Sequence, residues 1–312
     1  MAATSNFHCS PHFQVMYSQV ISVVLSLALC FTSVQATFSE CTPPVVGCLC
    51  DVQVMQCAGA QCKGFPDDAP EHISEYIFNG CTFPQPITNV PYTEAQVLSI
   101  VNSQGKLEIK DDAFQELTKL ELLELRGNNL QEIRRDMFTG LGELKTLSLA
   151  MNRISVLNDT VFALLVSLEK LLLTGNPGVT ITRDAFSGVE TLKELKLDSC
   201  ALSEIPSEAL RDNRGLRALN LFQNPLKSVP KEAFARFESL QELRMNECQL
   251  EELDEDSFDG LEKLLLLDLS HNSLSELDDD LLDSSEDSIR KLYLNNNQFK
   301  TIPVSVSPSQ MQ

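Results

Sequence analysis

The chain has 312 residues, 43% of them hydrophobic, enough to bury one large core or two smaller ones. Its formal charge of −20 repels phosphate backbones and anionic lipid, which argues against nucleic-acid and membrane-surface roles. Four histidines are present without a nucleophile motif, a glycine-rich phosphate loop or a metal-ligand cluster, so no active site, metal or cofactor is expected.

Residues 20–31 form an apolar run of about twelve residues, and at 1.5 Å rise they make roughly 18 Å of helix, short of the ~30 Å hydrocarbon layer. Val34 and Ala36 are small where a signal peptidase needs them. The expectation is a signal peptide over 1–36, cleaved after Ala36, and a secreted, extracellular product with no membrane insertion. No Lys or Arg precedes Gln19, so nothing basic holds the run as an anchor, and a start at Met16 leaves a more ordinary leader. Residues 1–36 carry no Asp, Glu, Lys or Arg, and the cleaved chain keeps the full −20.

Next come Cys41, Cys48, Cys50 and Cys57, spaced C-x6-C-x-C-x6-C within a cysteine-rich segment at 37–62. That spacing is unlike a paired C-x2-C zinc site, and a secretory route favours oxidation. Cys62 and Cys81 are a further candidate pair, Cys81 closing the run Ile73, Tyr76, Phe78, Cys81.

From Leu120 the chain repeats every 24 residues. Openings fall at Leu120, Leu144, Leu168, Leu192, Leu216, Leu240 and Leu264, then at Ile289. Phe114, Phe138, Phe162, Phe186, Phe234 and Phe258 keep the same step, with Leu210 and Leu282 in the remaining places. Each opening begins L-x-x-L-x-L-x-x-N-x-L, as in Leu120, Leu123, Leu125, Asn128 and Leu130. Leucines that alternate with polar neighbours predict a short strand with its leucines inward. At the ninth position Asn128, Asn152, Asn176, Asn224, Asn272 and Asn297 are expected to satisfy backbone groups where the chain leaves the sheet, with Cys200 and Cys248 standing in as reduced, buried thiols two repeats apart. The phenylalanines are expected to fill the convex layer.

These eight phased copies resemble the extracellular leucine-rich-repeat family with typical 24-residue units, over roughly residues 95–302 plus an N-terminal cap. The resemblance implies an α/β-type solenoid: a horseshoe with a parallel concave β-sheet and an irregular, helical-turn convex side. It implies a cap at 37–62 with Cys41 bonded to Cys50 and Cys48 to Cys57, a solenoid at 63–302, and a short tail at 303–312 without the cysteine-rich C-terminal cap common among relatives. In size and layout the chain also resembles the non-catalytic leucine-rich subunit of crustacean luciferases.

Strand residues facing away from the core line the concave surface of such a horseshoe. Lys196, Asp198, Asn220, Phe222, Arg244, Asn246, Asp268 and Tyr293 fall there, and an aromatic beside an arginine and alternating carboxylates is a mixture suited to protein binding. The acidic runs at 251–256 and 278–280 lack the spacing of a calcium loop and are read as solvated faces. Asn158-Asp159-Thr160 is an N-glycosylation sequon, placed away from the inner sheet. The function expected is binding of a protein or extracellular-matrix ligand, without catalysis. The alternatives are a non-catalytic subunit of a secreted enzyme and a shortened receptor ectodomain.

Overall fold

The computed structural model describes residues 38–41, 45–59, 61–70, 72–278, 280–285 and 287–300. The expected signal peptide and the tail at 303–312 lie outside them. Among the described residues, thirteen short strands join one sheet in chain order, from Ser39–Glu40 to Lys291–Tyr293. The first two pairings, Ser39–Glu40 with Cys48–Cys50 and Cys48–Cys50 with Val54–Ala58, are antiparallel, and every later one is parallel.

The repeat explains this order. In the regular part each strand is three residues long, and its middle leucine is buried and in register with the next: Leu123 with Leu147, Leu147 with Leu171, and on through Leu195, Leu219, Leu243, Leu267 and Leu292. A single unit cannot enclose these leucines, so each is buried by its neighbours.

The ladder at the ninth position closes the turn out of the sheet. Asn152 Nδ2 donates to the carbonyls of Leu125 and Leu149 (2.9 Å each), while its Oδ1 accepts from the amides of Asn128 and Leu130 (3.0 Å each). Asn224 and Asn272 repeat the arrangement. Cys200 and Cys248 are free and buried, and each supplies only the donor half, Sγ reaching the carbonyls of Leu173 (3.3 Å) and Leu221 (3.1 Å). The loops facing them compensate with backbone: Gly178 and Lys227 donate to the carbonyls of Cys200 and Cys248.

On the convex side, turns replace α-helix. Two 3-10 turns, Arg135–Phe138 and Asp283–Ser285, and two small parallel strand pairs are present among the described residues. Phe138, Phe162 and Phe186 follow one another at 6.1 Å spacing, the first pair tilted and the second stacked, and Phe234 stacks on Phe258 at 5.8 Å. Leu210 interrupts that spine. Nearby, buried Asn213 stands where neighbouring repeats have a leucine or valine, and Phe237 takes the corresponding place in the next repeat, packing on Phe234. At the N-terminal end Cys41 bonds Cys50, Cys48 bonds Cys57 and Cys62 bonds Cys81. These bridges, with the Tyr76 and Tyr92 rings stacked at 3.9 Å, close the first, irregular repeats.

Candidate functional site

Strand register sorts the concave face into three columns. The central one runs Leu49, Gln56, Ile77, Ser99, Glu124, Ser148, Leu172, Lys196, Asn220, Arg244, Asp268, Tyr293. One flank carries Val54, Glu75, Val97, Leu122, Thr146, Lys170, Glu194, Ala218, Glu242, Leu266 and Lys291 in the same register. The other flank, just past the strand ends, carries Asp198, Phe222 and Asn246.

From Lys170 onward this face is charged, and its charges answer one another. Lys170 Nζ lies 3.1 Å from Glu194, Lys196 Nζ 3.4 Å from the same carboxylate, and Arg244 Nε 2.5 Å from Glu242. Lys196, Asn220, Phe222, Arg244, Asn246 and Tyr293 are all half-buried and reach the surface. Phe222 is half-buried and not fully exposed.

Asp198 and Asp268 correct the sequence expectation. They are only 9% and 8% exposed. Thr174 Oγ1 donates to Asp198 at 2.8 Å and Asn220 Nδ2 at 3.3 Å; Ser270 donates to Asp268 from Oγ (2.6 Å) and from its backbone amide (3.1 Å). Burial pushes the Asp198 carboxyl above its ordinary range, partly offset by the Thr174 bond. Strands only ~4.8 Å apart let neighbouring polar side chains consume these carboxylates, so they brace the face and are not presented to a partner.

The N-terminal half of the face went unnoticed in the sequence. Leu49 (47% exposed), Val54, Ile77, Val97, Leu122 and Leu172 make it largely aliphatic. Its buried carboxylate, Glu124, accepts from Ser99 Oγ at 2.7 Å and has Arg126 at 3.6 Å. Glu75, between Val54 and Val97, is half-buried, and its carboxylate has no hydrogen bond or ion pair to any described residue. Burial raises its carboxyl pKa.

Elsewhere, Asn158 is exposed just after the convex strand Val156–Leu157, and Asp159 beside it accepts from Thr182 Oγ1 at 2.6 Å. Burial pushes the Cys200 thiol up to about 11 and that of Cys248 to about 12, the opposite of an activated nucleophile. Among the described residues no His, Cys, Asp and Glu group is arranged to hold a metal, and no helix is long and apolar enough to cross a membrane. The negative charge is concentrated late in the chain: residues 245–300 hold sixteen Asp and Glu against four Lys and Arg.

The leucine rich repeat model matches residues 93–150, 118–177, 142–202, 190–250 and 239–299. No curated protein matches the sequence. Among solved structures, the chain is similar to one in the TLR13–ssRNA13 complex, with 27% identity and a TM-score of 0.63 over 74% of this chain and 33% of that one. It is also similar in fold to a chain of the mouse RP105/MD-1 complex, with 18% identity and a TM-score of 0.64 over 78% and 50%. The chain therefore spans a third to a half of the length of those proteins. One of these similar structures contains a single-stranded RNA, so the architecture by itself does not exclude nucleic acid.

Proposed function

The chain belongs to the leucine-rich-repeat family, and from that premise we propose that it is a secreted, non-enzymatic protein that binds another protein through the concave face of its solenoid. The observation that carries the reading is the half-exposed Phe222 beside Asn220, Arg244 and Asn246 on a sheet face whose own charges are balanced. Interface energy is concentrated in aromatic and arginine side chains held at the centre of such a patch. Lys196 and Tyr293 extend it along the central column, and an extracellular-matrix ligand with matching groups is accommodated by the same residues.

Secretion is supported by the three disulfides, which persist in oxidising compartments, and by the apolar leader with its Val34 and Ala36. We divide the chain into a leader at 1–36, a cap at 37–62, a solenoid at 63–302 and a tail at 303–312, with an N-glycan on the exposed Asn158. The convex position of that residue keeps a glycan clear of the concave sheet.

Purification of the native complex from the secretion, followed by binding of Phe222→Ala and Arg244→Ala variants to the recovered partner, tests the reading. Each variant is expected to lose more than ~1 kcal/mol of affinity while its melting curve stays within ~0.5 kcal/mol of the parent. Unchanged affinity in both moves the interface off this patch. Co-purification with an enzyme activity assigns the chain to the subunit reading, and retention of residues 20–31 in a membrane fraction refutes secretion.

A further inference from the structure

We propose that the N-terminal half of the concave sheet receives a basic, aliphatic segment of the protein partner, with a lysine or arginine of that segment meeting Glu75. The assignment rests on the reading of the concave sheet as the binding face and names what its first half accepts.

Val54, Glu75, Val97 and Leu122 stand in consecutive register across four parallel strands, with Leu49 and Ile77 beside them in the central column. Aliphatic side chains on a sheet face contribute to binding when a matching apolar strip covers them. The one charge set among these aliphatics is the exception on the whole face. Glu124 has Ser99 and Arg126, Glu194 has two lysines, Glu242 has Arg244, and Asp198 and Asp268 have hydroxyl and amide donors. Glu75 has none of these, although it is half-buried. Partial burial weakens its hydration without supplying a partner, and a cation brought by the ligand restores what is missing. Arg126, on the same half of the face, is paired with Glu124 at 3.6 Å. Charge complementarity at long range favours the same class of partner, since the chain carries −20. A single-stranded nucleic acid fits less well: this half of the face has no aromatic ring at its concave positions on which bases stack, and its unpaired charge repels phosphate.

The test is selection of a random displayed peptide library on the immobilised full secreted chain. Enriched peptides are expected to combine Leu, Ile or Val with Lys or Arg. Their affinity should fall at least about tenfold on Glu75→Gln, an isosteric change, and similarly on Leu122→Ser. Glu75→Lys should redirect the selection to acidic peptides. Secretion and melting curves that match the parent establish that the variants fold, and Glu262→Gln, exposed and remote, serves as the control. Enrichment of peptides without basic residues, indifference to Glu75→Gln, absence of any enrichment, or displacement of the peptides by a single-stranded RNA oligonucleotide overturns the assignment. Peptides that lose affinity on Phe222→Ala but not on Glu75→Gln refute it while leaving the concave reading intact. Peptides that respond to neither remove both.

Discussion

Asn224→Ala measures what one rung of the ladder contributes. The side chain is fully buried and makes four short hydrogen bonds, Oδ1 accepting from the amides of Cys200 (3.1 Å) and Leu202 (2.9 Å) and Nδ2 donating to the carbonyls of Leu197 (2.9 Å) and Leu221 (2.7 Å), with a longer fifth from Nδ2 to the Phe222 carbonyl (3.4 Å). After truncation the Leu221 carbonyl keeps Cys248 Sγ, whereas the Leu197 carbonyl and both amides lose their partner. The four short bonds at a net ~1 kcal/mol each put the loss at about 4 kcal/mol, with buried orphaned amides pushing it upward. For a domain of this size that is roughly 8 to 16 °C in Tm. Asn224→Cys separates the two halves of the rung. A thiol there keeps a donor for the Leu197 carbonyl, as Cys200 does for Leu173, but leaves both amides without an acceptor, so its cost should be about half that of alanine. Urea unfolding of the secreted proteins gives both values. A loss below ~1 kcal/mol for alanine, or a cysteine variant as costly as alanine, would refute the reasoning.

The convex layer should behave differently. Phe234→Ala removes a buried ring stacked on Phe258 and packed on Phe237, and is expected to cost roughly 3 to 5 kcal/mol and reduce secreted yield, read by unfolding and immunoblot. Gly140→Ala should be at least as damaging: an added Cβ would sit 2.2 Å from the Gln115 carbonyl oxygen at a φ of +87°, and alanine scanning of yield along this loop checks it. The two ladder thiols make stability fall at high pH. Burial raises both above the ordinary 9.0, so the unfolded chain loses these protons first. Between about pH 9 and 11 each thiol should remove about 1.4 kcal/mol per pH unit, an excess that a Cys200→Ala, Cys248→Ala double variant lacks in melts over that range. Asn158→Gln should abolish a glycosidase-sensitive mass shift of the secreted protein; a parent that shows no shift removes the glycan.

The regular solenoid was legible because several residue classes kept one period independently, and a shared period fixes strand, ladder and spine at once. The N-terminal half of the concave face was not. Its strands begin at Val54, Glu75, Val97 and Leu122, steps of 21, 22 and 25 residues, before the period settles at 24. Without a fixed step, alternation alone does not say that Val54, Glu75 and Val97 are neighbours. Asp198 and Asp268 mark a second limit. Period-two alternation placed them on the correct side of the sheet, but depth depends on what stands one repeat away or two residues along, and Thr174, Asn220 and Ser270 are short enough to close over a carboxylate. The same comparison separates Glu75 from every other carboxylate on the face. Its neighbours in register are two valines, which offer neither a donor nor a charge, so whatever compensates that carboxylate has to arrive from outside the solenoid.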